Sequence, residues 1–231
     1  MESSLNPKSV FVIIPTFNEG QVIRTTIAPL LEQGYTVVLV DDCSSDDTET
    51  IVADLPLTYI KHPINLGQGA ALQTGFDYAT QSGAEYVVTF DADGQHNYAE
   101  IPSLLAPVVA GEVDLTMGTR FKRKADRLAV PTSRRLLLRT AILVNGLLTG
   151  LWLTDAHNGF RALNRTAFSQ IKLTENRMAH ASEILSQIRK HRLRYEEIPV
   201  NIVYTDYSKM KGQRPSNAIN IVIDLLLKKI F

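Results

Sequence analysis

Three short apolar runs, each stopping at a polar cluster, limit what this chain can fold into more than any other feature. Val10 to Ile14 ends at Pro15, Thr36 to Val40 at Asp41 and Asp42, and Tyr86 to Phe90 at Asp91. Leu57 to Lys61 and Leu115 to Gly118 add two more candidate strands. Runs this short and this apolar suit strands buried on both faces. Helical stretches fall between them. One opens at Asn18 and Glu19 and runs to about Gln33, where Gly34 closes it. A second follows Ser44 or Ser45 as its cap, with Asp46, Asp47 and Glu49 near its positive end. A third opens at Gly67-Gln-Gly69 and runs to about Gln81. Strands separated by helices imply an α/β fold, a mainly parallel sheet with helices on both faces. Ligands in such sheets bind beyond the carboxyl ends of the strands. Pro15 to Glu19, Asp41 with Asp42, and Asp91 to Gln95 are therefore expected to line one crevice.

The second half is less regular. Helical patterns run from about Ser133 to Leu153 and from Ala179 to Lys190, and a strand is expected over Ile198 to Tyr204. A polar loop, Thr205 to Arg214, leads into an apolar C-terminal helix. No linker or repeat divides the 231 residues, so one domain is expected. Lys+Arg and Asp+Glu both number 24, which gives no reason to expect a nucleic-acid partner. The basic residues are nevertheless gathered: Arg120, Lys122, Arg123, Lys124, Arg127, Arg134, Arg135 and Arg139 stand against Asp126 alone, which suggests an anionic partner, the alternative being a solvated helix face. A single cysteine, Cys43, fits a reducing compartment. The polar opening Met1 to Ser9 lacks the character of a secretory signal, and no run reaches the ~20 apolar residues of a membrane span.

Asp91-Ala-Asp93 is the chemical centre. In an extended segment side chains two apart share a face, and two carboxylates so placed repel unless a cation lies between them. Hard oxygen ligands select Mg²⁺ or Mn²⁺, which can neutralise a departing diphosphate. Gln95 and His96 follow within reach. Asp41 or Asp42 can accept hydrogen bonds from a nucleobase or ribose, the alternative being a helix-capping role. Pro15-Thr-Phe-Asn18-Glu19 is a tight turn suited to the same nucleoside. Gly67-Gln-Gly69 lacks the third glycine of a dinucleotide loop, since Leu72 stands there, and reads as a tight helix entry. His62, His96, His157, His180 and His191 show no metal-ligand spacing, and His157 and His180 read as structural or surface residues.

Six motifs in order, V-x-V/I-P-x-x-N-E, L-V-D-D-x-S-x-D-x-T, N-x-G-x-G-x-A, D-A-D-x-Q, G-x-R-F and D-x-x-x-G-F-R, make the chain from Val10 to Arg165 resemble the family 2 glycosyltransferases. The subgroup it resembles most is the dolichol-phosphate mannose synthase-like enzymes. The resemblance implies a GT-A fold, Rossmann-like in its sheet, and inverting transfer from a nucleotide-activated sugar. It places Pro15, Asn18, Glu19, Asp41 and Asp42 at the nucleoside, and Asp91, Asp93 and Gln95 at the metal and diphosphate. Arg120 falls near a donor or acceptor phosphate, and Asp155 in the acceptor region with Arg161. Asp93, Arg120 and Asp155 are thus the candidate catalytic residues. Asn158 stands where serine is common. The late loop carries Lys209, Lys211 and Arg214, taken as a group of phosphate contacts. No Q-x-x-R-W segment is present, against a processive polysaccharide synthase.

The resulting expectation is a nucleotide-sugar-binding half over 1–118, an acceptor-binding half over 119–216 and an apolar helix over 217–231. The donor would be a GDP- or UDP-sugar and the acceptor a polyprenyl or dolichyl phosphate. A phosphate monoester, with a second pKa of about 6, needs positive charge beside it but no strong base. The basic Arg120 to Arg139 segment and the apolar Leu136 to Leu153 beyond it fit such an acceptor. A soluble saccharide hydroxyl would instead need a base, for which Asp155 and Glu183 are the candidates. A silent nucleotide-sugar-binding regulator is the third reading. The C-terminal helix, apolar over most of its circumference, must bury that surface in the core, a membrane-protein partner or the lipid interface. The chain is expected at the cytoplasmic face of a membrane, peripheral to it.

Overall fold

The computed structural model describes residues 5–120, 146, 150, 151, 153–155, 158–175 and 180–203. Among them run seven strands: β1 Val10–Thr16, β2 Thr36–Asp41, β3 Thr58–Lys61, β4 Tyr86–Thr89, β5 Leu115–Thr119, β6 Arg161–Asn164 and β7 Tyr195–Pro199. The helices are α1 Ile23–Glu32, α2 Thr48–Val52, α3 Gln68–Gln81, α4 Ile101–Val109, α5 Arg165–Gln170 and α6 His180–Lys190. The strands form one sheet in the order β3-β2-β1-β4-β6-β5-β7. All neighbours are parallel except β6, which runs antiparallel to both β4 and β5. The carboxyl ends of the other six strands therefore share one edge, and β6 begins there with Arg161. The chain winds outward from β1 to β3 and then returns to β4 on the other side of β1. Such a reversal opens a crevice at the carboxyl ends of β1 and β4.

Alternation along each strand supplies two cores. Phe11 and Ile13 face the layer of α3, α5 and α6, with Phe76, Phe168 and Leu185. Val10, Val12 and Ile14 face α1 and α4, with Ile27 and Leu104. Helix α3 lies close on β1: a Cβ on Gly75 would overlap the Ile13 side chain. Gly67 caps the helix with φ 101°, a value that favours glycine, and a Cβ on Gly69 would overlap the Glu175 carbonyl oxygen. The two glycines thus serve a tight helix entry, as the sequence suggested.

Several expectations shift. Helix α1 starts at Ile23, because Glu19 closes a turn through its carbonyl on Val22 and Ile23. Neither Ser44 nor Ser45 caps α2. Asp46 takes the Thr48 N–H instead, while the Ser44 hydroxyl accepts from the Asn18 N–H. The late strand lies at Tyr195–Pro199 rather than Ile198 to Tyr204, because its pairing with β5 ends at Thr119. Strand β6 and helices α4 and α5 had no assignment from sequence. The expected apolar C-terminal helix, most of the patterned stretch Ser133 to Leu153 and most of the basic segment lie outside the described residues. Among the described residues, no helix is long and apolar enough to cross a membrane.

Candidate active site

The crevice is built first from two loops tied together. Asn18 follows β1 with φ 55°, a left-handed conformation that asparagine tolerates better than most residues. Its N–H donates to Ser44 Oγ at 2.8 Å, and its Oδ1 accepts from the Ser45 N–H at 2.8 Å. Gly20 N–H adds a bond to Asp46 Oδ2 at 2.9 Å. The turn after β1 is thereby fastened to the loop after β2.

Asp41 and Asp42 hold that loop from beneath, at 0% and 3% exposure. Asp41 accepts from the Ser44 N–H and from the Tyr59 hydroxyl. Asp42 accepts from the N–H groups of Leu66 and Gly67 at 2.8 and 2.6 Å, and its Oδ1 lies 2.9 Å from His62 Nδ1. The other nitrogen of His62 reaches the Thr74 hydroxyl of α3. The Asp41 carboxylate shapes the loop after β2 and that of Asp42 the 62–67 loop, and both present little of themselves to a ligand.

Asp91 and Asp93 lie past the end of β4, not within an extended segment. The strand stops at Thr89, and the chain turns through Ala92, whose side chain is buried in the α1–α4 core and whose carbonyl accepts from Thr26 Oγ1. The turn closes at Gly94 with φ 73°. The two carboxylates still meet. Burial raises both above the usual carboxylate range, and the charge of Asp91 pushes Asp93 further. Glu19, across the crevice, adds to the same push. Arg161 and Arg120 oppose it at Asp91. Gln95 donates from its backbone to Asp93 Oδ1 at 3.0 Å and from its side chain to Oδ2 at 2.9 Å. In this arrangement it braces Asp93.

On the far side Arg120, just beyond β5, meets Asp155. Its Nε and Nη2 donate to the two carboxylate oxygens at 2.6 and 2.7 Å, and its backbone N–H reaches Oδ2 at 3.1 Å. The Asp155 side chain is 1% exposed. Glu197 of β7 fixes this segment by accepting from the N–H groups of Thr154 and Asp155. Asp155 is committed to orienting Arg120. Arg161 is buried at the start of β6, and burial pulls its guanidinium down to about 10 against the opposing charges of Asp91 and Asp155. Its Nε and Nη1 and the Nδ2 of Asn158 are buried without a hydrogen-bond partner.

The family model for "Glycosyl transferase family 2" matches residues 11–172. The chain belongs to this family. Among its relatives, the UDP-N-acetylglucosamine–dolichyl-phosphate N-acetylglucosaminyltransferase of Methanococcus voltae is 29% identical, over 96% of this chain and 97% of that protein. The undecaprenyl-phosphate mannosyltransferase of Micrococcus luteus is 31% identical, over 88% of each. In three dimensions the chain resembles glucosyl-3-phosphoglycerate synthase from Mycobacterium tuberculosis, crystallised with Mn²⁺, UDP and phosphoglyceric acid. The TM-score is 0.69 at 18% identity, covering 95% of this chain and 77% of that one. The fold is GT-A, and the protein is a glycosyltransferase of the dolichol-phosphate mannose synthase-like subgroup.

As a family 2 glycosyltransferase, the chain can be asked whether its residues fit a divalent cation. Asp91 and Asp93 are two hard, mutually repelling oxygen donors that a dication would relieve. Among the described residues no group of three His, Cys, Asp or Glu side chains gathers as a closed metal site. Two carboxylates suit Mg²⁺ or Mn²⁺, which usually keep positions for waters and substrate phosphates. Asp93 feels the charges of both Asp91 and Glu19, and Asp91 that of Arg120, with Asp155 behind Arg120. Pro15 is buried within β1, one residue from its carboxyl end. Lys209, Lys211 and Arg214 lie outside the described residues. His96, noted in the sequence only as within reach of Asp91 and Asp93, is buried at 8% exposure beside Asp91. Its place directly after D-A-D-x-Q was the one available signal.

Proposed function

We propose that the chain moves a sugar, with inversion, from a GDP- or UDP-sugar to a polyprenyl phosphate. The observation that carries this reading is that both carboxylates able to serve a hydroxyl acceptor as base are already engaged. Asp155 is chelated by Arg120 and buried. Glu183 accepts from the Thr174 N–H and hydroxyl and from the Glu175 N–H, holding the loop before α6. A phosphate acceptor is already anionic and needs neither. The two relatives named above carry lipid-phosphate acceptors in their names, which supports the same choice.

In this reading Asp91 and Asp93 hold Mg²⁺ or Mn²⁺, with Gln95 steadying Asp93. The cation supplies counter-charge for the departing diphosphate. Asn18 and Glu19, with the loop that Asp41 and Asp42 hold, form the nucleoside end. Asp155 aims the Arg120 guanidinium at phosphate, a fixed charge needing little reorganisation during transfer. An acceptor oxygen attacks the anomeric carbon from the face opposite the diphosphate, which inverts that centre. Lys209, Lys211 and Arg214 add positive charge for phosphate. The lipid acceptor places the protein at a membrane surface, peripheral to it and at its cytoplasmic face, where the apolar 217–231 segment meets lipid or a membrane protein.

A panel of UDP- and GDP-sugars, each with Mn²⁺ and either polyprenyl phosphate or soluble saccharides, tests this. Sugar is expected to enter an organic-extractable product only with the lipid phosphate. Comparable transfer to a soluble hydroxyl would overturn the acceptor assignment, and binding without turnover on any acceptor would favour a silent nucleotide-sugar-binding protein.

A further inference from the structure

One imidazole ring addresses Asp91 at two of its atoms. The Asp91 backbone N–H donates to His96 Nδ1 at 3.1 Å, and Asp91 Oδ2 lies 3.3 Å from His96 Nε2. A ring nitrogen that accepts from an N–H carries no proton. His96 must therefore be neutral with its proton on Nε2, the nitrogen beside the carboxylate. The ring has little freedom to do otherwise. It stacks on Phe160 with centroids 4.7 Å apart and planes 13° apart, and meets Phe90 edge-on at 5.2 Å. Its backbone is bridged to Ile202, and the Gln95 carbonyl accepts from the Val203 N–H at 2.9 Å. Its side chain is 3% exposed, too enclosed to meet a substrate.

We infer that His96 is the positioning residue of Asp91, fixing where its carboxylate stands and which oxygen faces the crevice. Gln68 completes the grip. Its Nε2 donates to Asp91 Oδ1 at 3.2 Å, so each carboxylate oxygen has its own neighbour. Gly159 closes the space behind, since a Cβ there would come 2.7 Å from either oxygen. The carboxylate is held from His96, Gln68 and Gly159 before any ligand arrives. Groups behind a metal ligand commonly orient it in this way. The Phe90–His96–Phe160 cluster makes the arrangement rigid, since neither ring can tilt without displacing strand β4 or the start of β6. His96 does not exchange protons with substrate. Its contribution is orientation, and it rests on the reading of Asp91 as a ligand for a divalent cation.

The full-length chain, labelled with ¹⁵N, tests this in three readouts: the His96 tautomer by long-range ¹H–¹⁵N NMR, the exchange rate of the Asp91 amide, and Mn²⁺ titration in the presence of UDP or GDP. The wild type is expected to show the Nε2–H tautomer and a protected Asp91 amide. His96→Phe keeps the ring stack but removes both polar contacts. It should unfold near the wild-type temperature, exchange the Asp91 amide faster and bind Mn²⁺ about 10–100-fold more weakly. His96→Gln, whose amide N–H can reach the Nε2 position, should recover part of the Mn²⁺ affinity. An Nδ1–H tautomer or a charged ring in the wild type overturns the inference. So does a folded His96→Phe with an unchanged Asp91 amide and Mn²⁺ affinity within about twofold. A wild type that binds no Mn²⁺ with either nucleotide removes the metal reading, and the tautomer and amide exchange then decide on His96 alone. Should His96→Phe not fold, the wild-type tautomer and His96→Gln carry the decision.

Discussion

Gly159 lies so close to Asp91 that a methyl group in place of its hydrogen would stand 2.7 Å from both carboxylate oxygens. Nothing wider than a hydrogen fits between Gly159, two residues before strand β6, and the Asp91 carboxylate. Because Gln68 and His96 hold Asp91 from other directions, the carboxylate cannot swing aside without losing them. Gly159→Ala is therefore expected to displace Asp91 and lower kcat/KM on the order of 100-fold, the scale of an ångström of misplacement. Its melting temperature should fall little, since a turn residue outside both cores is changed. Steady-state kinetics beside thermal unfolding checks this, and full activity in a folded Gly159→Ala would mean that Asp91 need not stand where it does.

Arg120 and Asp155 should behave as a unit. Asp155→Ala leaves a mostly buried guanidinium without its counter-charge, and breaking such a pair costs about 3–5 kcal/mol. Urea denaturation should register that loss directly. Arg120→Lys keeps the charge but cannot make the two parallel bonds, so it should preserve more stability than Asp155→Ala while losing activity. Equal activity in Arg120→Lys and wild type would remove Arg120 from the phosphate-binding role.

The raised carboxyls give a stability signature. Burial lifts Asp91 and Asp93 above their unfolded values, so the folded chain bears a cost for ionising them. That cost is absent below the ordinary carboxyl range and fully present above the raised folded values. Metal-free stability therefore falls as pH rises through that window. Asp93→Asn removes one charge and should melt higher than wild type at neutral pH in chelator, at about 2–4 °C for each kcal/mol relieved. Mn²⁺ should raise the melting temperature of the wild type and leave that of Asp93→Asn nearly unmoved, with transfer abolished in the variant. A lower melting point for Asp93→Asn in chelator, with the Mn²⁺ effect retained, would contradict the carboxylate-pair reading.

Asp42 offers a different split. Its carboxylate holds the Leu66 and Gly67 N–H groups and His62, so Asp42→Ala frees the 62–67 loop without touching the crevice beneath Asp91. Contacts to a nucleoside, remote from the bond that breaks, act equally in ground and transition states and show in KM alone. Donor KM should rise on the order of tenfold with kcat nearly kept. A fall in kcat at unchanged donor KM would place this loop at the reacting centre instead.

The first half of the fold was legible because its strands are unbroken apolar runs and its loops begin with residues of narrow conformational use. Asn18, at φ 55°, and Gly67, at φ 101°, both fall where the pattern marked a boundary. Strand β6 was not legible. Arg-Ala-Leu-Asn carries no alternation, and its placement depends on pairing with both β4 and β5. Helix α4 hid behind Pro102 and Pro107, the first at a position where proline suits a helix start. At the site, Asp91 and Asp93 were found by a strand argument that the turn at Ala92 replaces. The commitment of Asp155 to Arg120, and the ring behind Asp91, are long-range facts that spacing along the chain cannot express.

The antiparallel seat of β6 also sets an order in time. As the chain emerges from the ribosome, β1 to β4 can pair as soon as they are made, but β5 has no partner among them. It must wait for residues 161–164, which pair with β4 on one side and β5 on the other. Until then β4 keeps one edge of unpaired N–H and C=O groups, a template for association with another nascent chain. Asp91 likewise lacks its Gly159 wall until that strand arrives, so the proposed metal site cannot form during synthesis of the first half. A cell that makes this protein quickly would be expected to lose more of it to aggregation than to misfolding of the finished chain. A shielding chaperone would act best over the interval between the exit of β4 and the exit of β6.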